Sequence, residues 1–465
     1  MRSLIALSLV MLLLSGCAVG PNYKRPSVNV PDTYRGAVPP EAQQPAAESL
    51  GDQKWWEVFQ DKQLQDLIHT ALQQNYDVRI AATRILEARA QVGIARADQL
   101  PTISGGAQAV NERNPRVKLY PQYETSSNQV DLSLAWELDF WGKYRRATES
   151  ARANLLATEW ARKEVIDTLV SDVAAAYFQL RELDLELEIS RRTLASRKNS
   201  LQLTQTLANG GATSMLDVRQ AEQLVFTAAE TIPDLERQIE QQENFISTLL
   251  GNNPGPIARG TKLTEQPHPP QIPAGLPSSL LERLPDIREA EAQLIAANAH
   301  IGVANADYYP QITLTATGGY QSSALTSLFT GPAGLWSFGG SLAQPIFEGG
   351  RIRSNVRFTE ARQQEAALVY QQTIQQAFRG VSDALVGYSK DREFREQQEQ
   401  LTFSAQDAAR LSETRYRGGA TSYLEVLTNE TNYFDAELGL AQAQLNELVA
   451  LVRIYRNLGG GWQEQ

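Results

Sequence analysis

The pentapeptide Gly210-Gly-Ala-Thr-Ser214 recurs letter for letter as Gly418-Gly-Ala-Thr-Ser422. Two further pairs of segments match at the same spacing to within one residue: Ile94–Pro101 with Val303–Pro310, and Trp141-Gly142-Lys143 with Gly349-Gly350-Arg351. Three matches in one register, spread over more than a hundred residues, indicate that the chain is an internal duplication.

The duplication, with the distribution of glycine and proline, predicts the organisation of the whole chain. A stretch rich in both residues separates the two copies and is typical of a linker. The prolines near the N-terminus exclude a helix there and predict an extended strap. The expected segments are a signal peptide (1–16), a lipidated strap (17–61), a first repeat (62–250), a linker (251–279), a second repeat (280–458) and a C-terminal tail (459–465).

Each repeat has the predicted order helix, strand, strand, long helix, turn, helix. The predicted helices are 62–98, 143–208 and 214–250 in the first copy, and 286–307, 351–416 and 422–457 in the second. Pro233 falls inside the third helix, where we expect a kink. A helix of about 66 residues is roughly 100 Å long at ~1.5 Å per residue.

The first long helix carries apolar positions in alternating steps of four and three, which is the pattern of a coiled-coil seam. The seam consists of small and aliphatic residues: Leu169, Val173, Ala176, Leu180, Leu183, Leu187, Ser190 and Leu194. Rods of this length do not fit one compact domain, so the helices are predicted to form an elongated helical assembly.

The clearest strand pattern is residues 128–140, where apolar and polar side chains alternate. The second copy, 336–346, keeps the same alternation, and 102–110 and 311–321 are the predicted partner strands. The strand has one apolar and one polar face, and it is longer than the ~9–11 residues that cross a bilayer. Both features are typical of a strand in a transmembrane β-barrel. The alternative is a water-exposed antiparallel sheet beneath a helix layer.

Four membrane strands per chain cannot close a barrel, and open edges in lipid leave backbone groups without hydrogen bonds. The chain is therefore expected to oligomerise. Two copies would give an eight-stranded barrel, whose interior is nearly filled by its own side chains. Three copies would give twelve strands around a lumen, so a conduit favours the trimer.

The N-terminus has the features of a secretion signal. A short apolar run follows Arg2 and ends at Leu14-Ser15-Gly16-Cys17, which resembles the lipobox of bacterial lipoproteins. Acylation of Cys17 is expected, the alternative being an ordinary signal peptide with an incidental cysteine. Ala18, where inner-membrane lipoproteins carry aspartate, favours the outer membrane.

The composition excludes several classes of function. A net charge of −10 argues against nucleic acid as the main partner. One cysteine excludes a disulfide framework, and three scattered histidines argue against a metal cluster or a catalytic triad. Two other classes stay open: a periplasmic coiled-coil scaffold lipoprotein, and an acylated periplasmic enzyme, for which no nucleophile, metal or phosphate motif is present.

Motifs spread over nearly the whole chain resemble the TolC-like outer-membrane channels of tripartite efflux systems, in their lipoprotein branch. They are Leu14-Ser-Gly-Cys17, Gly20-Pro-Asn-Tyr-Lys-Arg-Pro26, Trp55-Trp56, Leu64, Leu67-Ile68, Ala71-Leu72, Asn75, Gly275-Leu-Pro-Ser278, Leu284-Pro-Asp-Ile287, Ala290-Glu291, Pro345-Ile-Phe347, Gly350-Arg351 and Leu458-Gly-Gly-Gly-Trp462. Leu284 departs from the arginine usual at that position.

The resemblance implies a mixed α/β membrane protein with a function in export rather than catalysis. It implies a homotrimer whose twelve-stranded outer-membrane β-barrel continues as a twelve-helix coiled-coil tunnel through the periplasm. The implied partners are a periplasmic membrane-fusion adaptor and an inner-membrane pump of the RND type. No cofactor is implied apart from the covalent lipid on Cys17, and no metal.

The candidate site lies at the two turns that carry the repeated pentapeptide. Glycine pairs, Gly210-Gly211 and Gly418-Gly419, end the long helices, because glycine tolerates a left-handed turn. Ser214 with Asp217, and Ser422 with Glu425, have the spacing of a capping box. Capping alone is one interpretation of the two acids.

The other interpretation is that three-fold symmetry makes each acid a ring at the mouth of a tunnel. The resemblance implies that Tyr416 and Asp217 help to hold neighbouring coils closed, with Arg417 beside them. Glu425 would form one acidic ring. Thr428 stands where the family often has a second acid, which argues against a double cation-binding ring.

Overall fold

The computed structural model describes residues 18–36, 49–115, 123–267 and 272–462. The predicted signal peptide and Cys17 lie outside the described residues. The order of elements repeats as the sequence predicts. The helices are α1 (Trp55–Val58), α2 (Lys62–Gln74), α3 (Tyr76–Ala97), α4 (Lys143–Asn209), α5 (Met215–Leu249), α6 (Pro277–Arg283), α7 (Pro285–Ala306), α8 (Arg351–Arg417) and α9 (Tyr423–Asn457); the strands are β1 (Thr102–Asn114), β2 (Tyr123–Glu137), β3 (Gln311–Ser322) and β4 (Gly334–Ala343).

The two long helices, α4 and α8, confirm the predicted rods, and each has 67 residues. α5 continues through Pro233 as one helix. Within the described residues, none of the helices is both long enough and apolar enough to cross a membrane.

The prediction of one helix over 62–98 is wrong, because the chain breaks at Asn75 into α2 and α3. The Asn75 side chain accepts hydrogen bonds from the backbone amides of Asp77 at 2.7 Å and Val78 at 3.2 Å. Its amide nitrogen donates to the Leu249 carbonyl at 2.9 Å. Asn75 therefore caps α3 and ties the break to the end of α5.

The chain divides into two compact units. The first comprises residues up to Ser27, Arg84–Glu159 and Glu289–Gln371, and the second comprises Val28–Thr83, Trp160–Arg288 and Gln372–Gln465.

The first unit contains one antiparallel sheet in the order β1-β2-β3-β4. The register places Ile103 opposite Leu134, Leu134 opposite Ala316, and Ala316 opposite Phe338. Directly paired residues share a face, so the apolar positions of all four strands lie on one side of the sheet. The alternation predicted for 128–140 and 336–346 is confirmed in its parity.

The apolar face of the sheet has no cover within the described chain. Trp336 and Phe338 stack at 5.8 Å between ring centroids and are 76% and 78% exposed. The opposite face carries small and polar side chains, such as Ser133 and Thr317. β1 and β4 each pair on one side only in the part of the chain that the structure describes.

β2 begins and ends earlier than predicted, since it runs over Tyr123–Glu137 rather than 128–140. It starts at Tyr123, because backbone pairing with β1 continues where the side-chain alternation has stopped. It ends at Glu137, because Asp139 serves the next helix: its carboxylate accepts from the backbone amides of Tyr144 at 3.2 Å and Arg145 at 2.9 Å. An acid at a helix N-terminus satisfies amides that have no partner within the helix.

The strap of the first unit is held by polar contacts. Arg25 donates two hydrogen bonds to the carboxylate of Glu291, each at 2.6 Å. The Val19 amide donates to the Trp141 carbonyl at 2.9 Å, and Arg146 donates to Asn22 at 2.7 Å. A bidentate charged pair of this kind fixes orientation as well as position.

The core of the second unit lies between its helices. The predicted seam of α4 is buried at six of its eight positions, namely Leu169, Val173, Ala176, Leu180, Leu183 and Ser190. Further along α4, Ile189 packs with Phe434 and Ala441 of α9. The buried positions confirm that the apolar seam predicted for α4 is the side of the helix that packs against its neighbours.

Candidate functional site at the helix-connecting turns

The two glycine pairs end their helices in the same way. Gly211 and Gly419 have φ values of 78° and 72°, in the left-handed region. The amides of the following residues, Ala212 and Ala420, donate back to Leu207 and Arg415 at 2.8 and 2.9 Å. Nothing lies within 4 Å of a β-carbon built on either positive-φ glycine. Backbone conformation, rather than space, therefore requires glycine here.

The first turn forms the predicted capping box. The Ser214 amide donates to the Asp217 carboxylate at 3.0 Å, and the Asp217 amide donates to the Ser214 hydroxyl at 3.3 Å. The Thr213 hydroxyl also donates to Asp217. The hydrogen bond from Thr213, then those from Ser214, lower the pKa of Asp217 below its ordinary value. Asp217 is therefore ionised at neutral pH, and its capping contribution is lost only as the pH falls through that lowered pKa.

The second turn departs from the prediction. The Ser422 side chain makes no capping hydrogen bond, so the capping box predicted for Ser422 and Glu425 is wrong. The Thr421 hydroxyl donates to the Glu425 carboxylate instead, and Arg415 approaches that carboxylate at 3.9 Å. Glu425 therefore makes fewer hydrogen bonds than Asp217.

Tyr416 packs near both turns. Its ring meets Tyr423 edge to face at 5.3 Å between centroids, beside the buried side chains of Ala221 and Val426. The Tyr416 hydroxyl is buried and has no hydrogen-bond partner among the described residues. The structure brings Tyr416 and Asp217 to the same end of the unit without a hydrogen bond between them within one chain.

The remaining residues of the turns are more exposed. Arg417 pairs with Glu413 one turn earlier in its own helix. The residues that open the returning helices include three exposed apolar side chains: Met215, Leu216 and Leu424. Exposed apolar side chains at a helix end offer contact area to a partner.

Sequence reasoning missed two residues that hold the turns, Thr213 and Thr421, and the buried Arg197 of α4. The two threonines stand next to the expected serines, so the residue before each cap was the available signal. Arg197 is 2% exposed, and no sequence pattern distinguishes it from the exposed arginines Arg191 and Arg192 nearby.

The described residues contain no group of three or more histidine, cysteine or acidic side chains arranged to hold a metal ion. The turns therefore offer hydrogen bonding, charge and apolar contact. The sheet, for its part, is apolar on one face and carries small and polar side chains on the other.

The chain belongs to the outer membrane efflux protein family, whose model matches residues 67–252 and 276–460. It is 35% identical over 468 residues to the probable efflux pump outer membrane protein TtgC of Pseudomonas putida, across 100% of this chain and 96% of that one. It is 33% identical over 462 residues to the probable outer membrane lipoprotein SilC of Salmonella typhimurium, across 99% of each.

The fold is likewise similar to a solved channel. The open state of the MtrE outer membrane channel of Neisseria gonorrhoeae matches with a TM-score of 0.86 and 30% identity, over 96% of this chain and 99% of that one. The chain is therefore an outer-membrane efflux channel, a transport duct that needs no cofactor. The scaffold and enzyme alternatives are excluded.

Proposed function

We propose that three copies of the chain form one continuous exit duct across the outer membrane. The observation that carries this proposal is the sheet that the described residues form: four strands, an apolar face that these residues leave uncovered, and pairing on one side only at β1 and β4. Joining β4 of one copy to β1 of the next satisfies both edges, and three copies give twelve strands around a polar lumen.

The duct works with partners that supply energy and selectivity. In this proposal a periplasmic adaptor engages the exposed apolar residues of the turns, and an inner-membrane pump of the RND type drives the substrate. TtgC, which is similar over 96% of its length, is named as a probable efflux pump outer membrane protein. The channel itself is passive.

A lipid on Cys17 is the second part of the proposal, and the mature chain begins there after removal of residues 1–16. The name of SilC, an outer membrane lipoprotein, supports it. A β-carbon on Gly142 would lie 2.6 Å from that of Ala18, so residue 18 sits at the junction between β2 and α4. Trp141 stacks there on Tyr309 at 4.6 Å. Paired aromatic rings are typical of a membrane interface, where a lipid anchor would insert.

The gate of the duct is proposed to lie at the two turns. The turns are shaped by four glycines: Gly210, Gly211, Gly418 and Gly419. Neighbouring coils are held together by Tyr416, Asp217 and Arg417. Glu425 faces the Glu425 side chains of the other two copies across the three-fold axis. The packing of Tyr416 on Tyr423, beside Ala221 of the helix that carries Asp217, supports a shared role of these residues at the turns. Contacts worth ~1–3 kcal/mol each can be overcome by a partner that binds the open form better.

Planar-bilayer conductance tests the gate. Tyr416→Phe combined with Asp217→Ala is expected to raise single-channel conductance several-fold by loosening the turns. Ser214→Ala is the matched control, because it removes the same cap while leaving the Asp217 carboxylate in place. If the double variant conducts like the wild type, or if Ser214→Ala opens the channel equally, the residues only cap their helices.

A further inference from the structure

We propose that Arg197 is a positioning residue of the gate: its buried side chain holds α4 against α5 and α9 and so keeps the turns in their closed arrangement. The inference rests on the proposed gate at the turns. It adds a residue that is twelve positions before Asn209 in α4 and belongs to neither turn.

The contacts of Arg197 join three helices. Its Nη1 donates to the Leu224 carbonyl of α5 at 3.0 Å. Its guanidinium lies over the ring of Phe434 of α9, 5.0 Å from the centroid. A planar guanidinium can stack and donate hydrogen bonds at once, which a lysine cannot reproduce. One side chain therefore fixes the spacing of α4, α5 and α9.

The charge of Arg197 is only partly satisfied. It lines a cavity of about 360 Å³ together with Glu430 and Glu437 of α9. The Arg197 Nε and the Glu430 Oε2 are both buried and have no hydrogen-bond partner among the described residues. The other Glu430 oxygen accepts from the Ser200 hydroxyl at 3.3 Å. Arg197 and Glu430 thus face one cavity with opposite charges, neither of them fully paired.

The surrounding groups determine how the contact responds to pH. Three side chains of α9 interact electrostatically with Arg197: Glu430, Asp435 and Tyr423. Glu413 of α8 interacts electrostatically with Glu430. From α5, the Leu224 carbonyl accepts the hydrogen bond of Arg197. Burial raises the pKa of the Glu430 carboxyl, and the Ser200 hydrogen bond and Arg197 oppose that shift.

The direction of the pH effect follows from linkage. A carboxyl whose pKa is higher in the packed coil than in a loosened, hydrated one binds its proton more tightly when packed. Lowering the pH therefore favours the packed coil, and this preference is lost as the pH rises through the raised pKa of Glu430. The Glu430→Gln variant is neutral at every pH, so it is expected to weaken the dependence of single-channel conductance on pH in this range.

The experiment compares Arg197→Met with Arg191→Met in the full-length channel. Arg191 is the matched control, because it lies in the same helix and pairs with Glu236 at 2.7 Å while 59% exposed. Arg197→Lys is the milder variant, which keeps the charge and guards against a folding defect.

Amide hydrogen exchange over 423–437 is expected to be about tenfold faster in Arg197→Met, because a charged buried contact is lost. Single-channel conductance is expected to rise, with Arg197→Lys intermediate and Arg191→Met unchanged. Unchanged exchange, or faster exchange with unchanged conductance, would overturn the role of Arg197 in gating. If Glu430→Gln leaves the pH dependence of conductance unchanged, the pH effect assigned to Glu430 is wrong and the role of Arg197 stands.

The two proposals fail separately. If the Tyr416 and Asp217 double variant conducts like the wild type while Arg197→Met raises conductance, the gate residues are wrong and the role of Arg197 stands. If the double variant opens the channel and Arg197→Met does not, the gate stands and the role of Arg197 is wrong.

Discussion

At the scale of single residues, the two acids of the turns are held differently although their surroundings are a sequence repeat. Asp217 accepts from Thr213 and from both the amide and the hydroxyl of Ser214. Glu425 accepts from Thr421, and Ser422 makes no side-chain cap. The identical pentapeptides therefore do not give identical sites, and Glu425 is the carboxylate with more freedom to face a lumen.

Glu425→Gln is expected to reduce the cation preference of the channel, because three carboxylates across a three-fold axis attract cations. Reversal potentials in asymmetric salt measure the change. Ser422→Ala is the control at the same turn, since that hydroxyl makes no cap. An unchanged reversal potential for Glu425→Gln would place the selectivity elsewhere.

Cys17→Ala is expected to abolish incorporation of radiolabelled fatty acid, because its thiol is the proposed acceptor of the lipid. The barrel should still require detergent for extraction, since the lipid is an accessory anchor. Label retained by the variant would show that the lipobox reading is wrong.

At the scale of elements, side-chain periodicity was a good guide to strands and long helices. The alternation that includes Leu132 and Leu134 predicted which face of β2 is apolar, and the register of all three strand pairs agrees. The spacing along α4 predicted its buried seam. These patterns were readable because repeated burial on one face selects one residue type at a fixed interval.

Single polar residues account for what periodicity missed. Asn75 ends α2 and caps α3, although the apolar spacing continues past it. Asp139 ends β2 three residues early by accepting the first amides of α4. Arg197 became visible only in three dimensions, since burial of one arginine leaves no pattern. The role of such a residue depends on the partner that it contacts in the folded chain, and a local sequence pattern does not reveal that partner.

Leu134→Arg tests the assignment of the faces. On the lipid face near the bilayer midplane, an arginine is expected to cost about 2–4 kcal/mol per chain. Ser133→Arg, on the opposite face of the same strand, should cost much less. Unfolding in denaturant from lipid vesicles measures both. Equal costs would mean that the apolar face does not meet lipid.

At the scale of the whole molecule, the duplication explains why one chain is both repetitive and incomplete. In the described residues each repeat contributes two strands and one long helix, which gives a four-stranded sheet whose two edge strands pair on one side only. The sequence indicated this incompleteness, because four membrane strands cannot close. The number of copies follows from the need for a lumen, which eight strands barely provide.

Native mass spectrometry of the detergent-extracted protein tests this central claim most directly. Released from the micelle under gentle activation, the protein is expected to appear mainly as a trimer. The reason is that the backbone groups of the edge strands β1 and β4 find hydrogen-bond partners in neighbouring copies. A folded monomer as the main species would contradict the account, since it would show that four strands are stable without partners.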